Sequence, residues 1–287
     1  MEKAKKGNIT SAPRPGVQPF CPVRTGVALL SGRATLSYDI DLRLYSPEFR
    51  VIAESDDFIV VDKPAHLVVH PTTPGQPPTM WDGLRELLAY ELANGGQLSI
   101  ITRLDRETSG IVLVAKNREA AREFGIAMAA AEFEKSYLAI VWEWPSEETF
   151  VIDAPLIRRG EIEPSPVWVK QCVHPEGKPC ITEVQVRKRF ERDGVRFSLL
   201  ECRPQTGRMH QIRAHLHHAG FPMVGDKLYG PDEQCYLEFI ETGWTDALMA
   251  QLLLNRQALH ASQLSWREHD WHCPLPPELA DFAGETL

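Results

Sequence analysis

From residue 48 onward the chain alternates short apolar runs with helical stripes. Ile111 to Ala115 (IVLVA) is an unbroken apolar run of strand length, the pattern of a strand covered on both faces. Upstream, RVIAES and FIVVDKP read as two strands joined at Asp56-Asp57, a hairpin that feeds Pro64. Thr79 is placed to cap a helix from Met80 to about Ala93, with Leu84, Leu87, Leu88 and Leu92 at helical spacing and Gly95-Gly96 as its stop. Arg118 to about Glu132 has helical composition and precedes a strand from Ser136 to Trp142. Thr182, Val184, Val186, Lys188 and Phe190 alternate with polar neighbours up to an Asp193-Gly194 turn signal, then Val195, Phe197 and Leu199 follow. This predicts a long hairpin with one face buried and one wet. Met209, Ile212 and Leu216 predict a helix over Gly207 to His218, stopped by Gly220, with Arg213 at the edge of its apolar stripe. Thr245 to Leu254 reads as an amphipathic surface helix.

Strands separated by helices, with long hairpins inserted, imply an α+β fold: a mixed domain built on a largely antiparallel sheet. Residues 1 to 46 carry Pro13, Pro15, Pro19 and Pro22 without sustained periodicity, so an irregular N-terminal extension is expected ahead of a single domain over 47 to 287.

Composition narrows the class. The chain is 43% hydrophobic and holds no apolar run of the roughly 18 residues a membrane span needs. MEKAKKGNITSAP lacks the apolar centre of a signal peptide, so a cytoplasmic protein is expected. The six cysteines form no CxxC pair, which argues for reduced, mostly buried thiols rather than a zinc site or a disulfide framework. A net charge of -8 speaks against nucleic acid until its distribution is followed. Residues 228 to 287 hold ten acids against two bases, and the remainder is balanced. Within Arg203 to Lys227 the bases Arg203, Arg208, Arg213 and Lys227 face Asp226 alone, and four histidines share the stretch.

The densest chemistry lies in ITRLDRETSG, where Arg103, Asp105, Arg106 and Glu107 precede the buried strand. A carboxylate between two arginines stays ionised. Asp105 is therefore a nucleophile, a general base or an inert partner in an ordinary ion-pair cluster, and this segment alone does not choose among them. His210, His215, His217 and His218 invite a metal reading, but no carboxylate or cysteine accompanies them, and no metal is expected. The Walker pattern, HExxH and GxSxG are absent.

RLDRETSGIVLVAKN (Arg103 to Asn117) resembles the signature of the RluA-type pseudouridine synthases. Three further stretches are similar in the family's order: VVDKPAHLVVHP from Val60, KSYLAIV from Lys135, and RPQTGRMHQIRAHLHHAGFPMVGDKLYG from Arg203. With a closing LHA at Leu259 to Ala261, the likeness runs from about Pro47 to Pro277. Thr102 departs from it, standing where the family commonly has His.

The resemblance implies a pseudouridine synthase catalytic domain: a long, bent, mostly antiparallel mixed sheet flanked by helices, with a central cleft. It implies isomerisation of uridine in ribosomal or transfer RNA, without metal or cofactor, on a base flipped out of its stack. Asp105 would be the catalytic carboxylate, Arg213 its pairing partner, and Tyr137 the ring that stacks on the uracil. Arg103 would fill the space the base leaves, or be tied in an ion pair with Glu107 or Asp105. Ile212 would pack against the base, and Arg203, Arg208 and Lys227 would line the RNA entrance. A monomer acting on structured RNA is expected. Two other classes remain compatible: a catalytically silent RNA-binding or assembly factor, and a carboxylate-based N-glycosidase.

Overall fold

In the computed structural model, residues 48–72 and 77–285 are described, all within one compact unit spanning Leu42–Leu287. The extension expected over residues 1–46 lies outside them. The described residues open with the antiparallel strands β1 (Arg50–Glu54) and β2 (Phe58–Lys63), then α1 (Met80–Leu87), α2 (Ala89–Ala93) and β3 (Ser99–Ile100). Next come β4 (Ser109–Ala115), α3 (Arg118–Ala129), β5 (Glu134–Trp142) and β6 (Thr149–Asp153). A small two-stranded sheet, β7 (Leu156–Arg158) and β8 (Gln171–Val173), encloses α4 (Arg159–Ile162). The long hairpin of β9 (Ile181–Arg192) and β10 (Val195–Pro204) leads to α5 (Gln211–His218), α6 (Gln234–Thr242) and α7 (Asp246–Leu252). β11 (Leu259–Trp266), β12 (His269–His272) and α8 (Pro277–Ala283) close it.

Among the described residues, ten strands form the main sheet in the order β1-β2-β4-β11-β5-β10-β9-β6, with β3 against β4 and β12 against β11. Each of these pairings is antiparallel except β4 with β11. The fold is therefore α+β, a mixed, mostly antiparallel sheet with helices on its faces, as the residue pattern predicts.

The apolar runs are continuous because β2 and β4 are covered on both sides. Phe58 and Val60 of β2, with Ile111, Leu113 and Ala115 of β4, pack on Phe124 and Ala127 of α3. Their alternates Ile59, Val61, Val112 and Val114 pack on Met80 and Leu84 of α1. A third cluster joins β5, β9, β10 and β11 to Ile212 and Leu216 of α5 and Phe282 of α8. Local signals act at three points, the first and last of them expected from the sequence. Asp193 and Gly194 both take positive φ (53° and 76°), the two-residue turn that suits the twist of a hairpin. Asn117 caps α3 by accepting the Ala120 N–H at 2.8 Å. Asp82 accepts both the N–H and the hydroxyl of Thr79 at the start of α1.

Two helices differ from their predicted spans. The helix expected over Met80 to Ala93 breaks at Leu88, because α2 buries no side chain that would hold it in line with α1. The helix expected from Gly207 starts at Gln211. His210 sits in the left-handed region (φ 55°), Met209 is exposed, and the Gln211 carboxamide fastens the preceding turn by accepting from Thr206 Oγ1 and the Arg208 N–H.

Gly110 (φ 109°) lies where β4 and β11 run in parallel, and a Cβ there would stand 2.2 Å from the Ala261 carbonyl oxygen. Gly110→Ala should therefore lower stability by at least about 1–3 kcal/mol, since both the φ and the contact oppose a side chain. An unchanged urea midpoint would contradict this close approach.

Candidate active site

The segment from Ile101 to Thr108 is a loop folded back on its own strand. The Ile101 N–H donates to the Leu113 carbonyl, Thr102 Oγ1 accepts the Leu113 N–H at 2.9 Å, and the Thr108 N–H closes a turn on the Asp105 carbonyl. Residue 102 thus has a purely local task, which a hydroxyl performs.

Three other parts of the chain hold this loop. Lys63, fully buried at the end of β2, donates its ammonium to the carbonyls of Pro64, Leu67 and Arg106. Burial, with Arg256 nearby, pulls its pKa down to about 7 against the opposing pull of Asp105, Asp62 and Glu107. Arg256, also buried, donates to Ser109 Oγ and the Leu259 carbonyl and pairs with Glu278. Gln257 donates to Thr108 Oγ1 at 2.7 Å and to Asp105 Oδ2 at 3.3 Å. A carboxylate only accepts, so the amide nitrogen of Gln257 must be the end that faces Asp105.

The third support is α5. Arg213 gives Nε and Nη2 to the two oxygens of Asp226 (2.6 and 2.9 Å) and Nη1 to Asp105 Oδ2 at 2.7 Å. Asp226 has no exposed surface and also accepts the N–H groups of Leu228 and Tyr229. Burial would raise its pKa, but Arg213 and those backbone donors bring it down to about 2. Burial likewise opposes ionisation of Asp105. There the guanidinium of Arg213, with hydrogen bonds from Arg213 and Gln257, prevails and holds the carboxyl below its ordinary range.

His210 Nε2 lies 4.0 Å from the same oxygen, but burial and Arg213 push the ring down to about 4, so near neutral pH it carries no charge. Its Nδ1 contacts Tyr229 Oη at 3.0 Å, and Oη accepts the Gln171 N–H. These contacts gather on Oδ2. The carboxylate, deep in the fold, keeps 31% of its side-chain surface open.

A pocket of about 110 Å³ opens over Asp105 and brings together six of the sequence-predicted residues: Arg103, Asp105, Tyr137, Arg208, Ile212 and Arg213. Burial, reinforced by the charge of Asp105, pushes the Tyr137 phenol up to about 12, so it remains protonated. Arg103 has no hydrogen-bond or ion-pair partner among the described residues, since Glu107 is taken by Lys227. Arg106 is turned to the His66 carbonyl. The cation on Asp105 is therefore Arg213, 108 positions away, and neither sequence neighbour.

Two predicted residues lie elsewhere. Lys227, expected at the RNA entrance, is buried with its ammonium on Glu107 and within 4.6 Å of the Phe239 and Trp244 rings. Arg203 faces a neighbouring groove and is bonded to Glu201. The four histidines diverge: His215 is buried against Thr182 and the Ala154 carbonyl, and His217 meets the Tyr229 carbonyl. Among the described residues no group of three or more metal-ligating side chains is assembled. Sequence reasoning missed Asp226, Gln257, Lys63 and the placement of His210. A lysine at the end of a strand whose first four residues are apolar was the one signal available for Lys63.

Comparison with known proteins identifies the family. The family model described as RNA pseudouridylate synthase matches residues 57–218, more than half of the chain. A Chloroflexus aurantiacus protein described as an uncharacterized RNA pseudouridine synthase is 38% identical over 228 residues, 76% of this chain and 63% of that one. The ribosomal large subunit pseudouridine synthase D of Haemophilus ducreyi is 32% identical over 262 residues, 87% of this chain and 74% of its own. In structure, the human RNA pseudouridylate synthase domain containing 1 superposes with a TM-score of 0.62 at 23% identity, covering 83% of this chain and 87% of that one. The chain belongs to the RNA pseudouridylate synthase family, and it spans less than two thirds of the Chloroflexus relative's length.

His66, His210, His215, His217 and His260 are all held neutral chiefly by burial. Their folded pKa values lie below the unfolded 6.5, reaching about 4 for His210. The unfolded chain thus binds more protons below pH 6.5, and stability must fall as pH drops from there toward about 4. The lowered Asp105 and Asp226 add a further loss at lower pH still. The urea midpoint should decline steadily over this range with net proton uptake on unfolding; a midpoint that rises on acidification would overturn the assignment.

Proposed function

We propose that this protein isomerises uridine to pseudouridine in RNA, with Asp105 as the catalytic residue. The bond from C1′ to N1 breaks, the uracil turns, and C5 joins C1′. The proton lost from C5 balances the one gained at N1, so the product has the substrate's mass. The observation that carries this reading is the shared Arg213: Asp226 takes two of its N–H groups and Asp105 one. That division keeps Asp105 anionic yet leaves it partly open to the pocket, which is what attack on the sugar or proton removal from it requires. Because its phenol is protonated, Tyr137 acts as stacking surface and hydroxyl, not as phenolate. Ile212 offers an apolar wall for the base, and unpaired Arg103 takes the space it vacates. Arg208 contacts phosphate.

The substrate we favour is large-subunit ribosomal RNA, for which the Haemophilus relative is named. No helix among the described residues is long and apolar enough to cross a membrane, and we assign the protein to the cytoplasm with its RNA.

Incubation with an unmodified transcript of large-subunit ribosomal RNA separates the classes. A mass-neutral isomer supports the reading, released uracil would mean an N-glycosidase, and no change would mean an RNA-binding factor. Asp105→Asn should abolish conversion while fold and RNA affinity stay near wild type, since shape is kept and only charge is lost; residual pseudouridine would remove Asp105 from its role. Arg213→Ala should cut the rate by orders of magnitude and cost about 3–5 kcal/mol of stability, because two carboxylates lose their cation. Activity within a few-fold of wild type would refute the shared arginine. Tyr137→Phe should reduce turnover more than affinity, and a pure loss of affinity would exclude the hydroxyl from proton transfer.

A further inference from the structure

Beside the Asp105 pocket lies a groove of about 710 Å³, and Lys135 lines both. Lys135 stands two residues before Tyr137 on β5, so the two side chains share a face, about 6.6 Å apart along the strand. Of the other cations near the site, Arg213 is held by two aspartates, Lys227 by Glu107 and Arg203 by Glu201, while Arg103 and Arg208 line the pocket with Lys135 and have no ion-pair partner among the described residues. The Lys135 ammonium has neither a hydrogen bond nor an ion pair among the described residues. Burial lowers its pKa with no opposing carboxylate to restore it. The groove's own acids do not supply one: Glu183 is bonded to Gln205 Nε2 at 2.6 Å, and Glu134 is exposed. A half-buried ammonium without a partner is costly unless an anion completes it. In RNA the anion available one backbone step from a base is a phosphodiester.

We propose that Lys135 is a phosphate clamp: it takes the phosphodiester leading from the target nucleotide into the groove, which holds the adjoining nucleotide. This rests on the RNA reading above and extends it to one side of the target. It also replaces Lys227, which is buried on Glu107, as the lysine at the RNA entrance.

The test is binding of a labelled single-stranded oligouridylate across a salt series, with thermal melting to check the fold of each variant. Loss of one phosphate contact should flatten the slope of log affinity against log salt by about 0.7 in Lys135→Met, which keeps the apolar stem. Lys135→Arg should restore the slope. An unchanged slope in Lys135→Met overturns the clamp, as does a fall in turnover on the ribosomal transcript with the slope intact, which would make Lys135 a partner of Asp105 or Tyr137 instead. A wild-type protein that forms no pseudouridine would defeat the catalytic reading alone, and the oligouridylate slope would still decide Lys135.

Discussion

The structure depends on one buried cation shared unequally between two carboxylates. A guanidinium with almost no exposed surface is tolerable only if its charge and its N–H groups are met. Asp226, thirteen positions from Arg213, does most of this: it is itself fully buried and held by the backbone N–H groups of Leu228 and Tyr229. What remains is one N–H aimed at Asp105. Had Asp105 received the two-pronged side of the fork, both its oxygens would be engaged and the carboxylate would be an inert ion pair. The division leaves it charged by proximity to Arg213 but bonded chiefly through one oxygen.

Around this pair the loop is fixed through its backbone. Lys63 binds three carbonyls, and one of them belongs to the residue after Asp105. Gln257 and Arg256 fasten Thr108 and Ser109 from the start of β11, where the parallel contact with β4 admits no side chain at Gly110. Three separate segments thus converge on four of the five residues from Asp105 to Ser109. A reactive carboxylate on a loop needs such support, because small displacements of a reacting group are expensive in rate.

Much of the frame was legible because its signals are local. The alternation along β9 and β10, the Asp193-Gly194 turn, the doubly covered β4 and the caps at Thr79 and Asn117 each depend on residues a few positions apart. The start of α5 was misread because a side-chain staple from Gln211 and the left-handed His210 outweigh helical spacing there. The strands β6, β7, β8 and β12 and the helices α6 and α8 gave no sufficient periodic signal in so few residues.

By itself the sequence determined that an ionised aspartate precedes a buried strand, that a basic helix lies far downstream, and which family's motifs these stretches resemble. Only the tertiary structure decided which charges meet. Arg106 adjoins Asp105 in the chain and Arg103 stands two positions before it, yet Arg106 turns to the His66 carbonyl, Arg103 meets no partner among the described residues, and the cation comes instead from α5. Lys227 and Lys135 are equally plain lysines in the sequence. One is buried on Glu107 between two aromatic rings and the other faces the pocket without a partner, because folding brings a carboxylate to the first and none to the second.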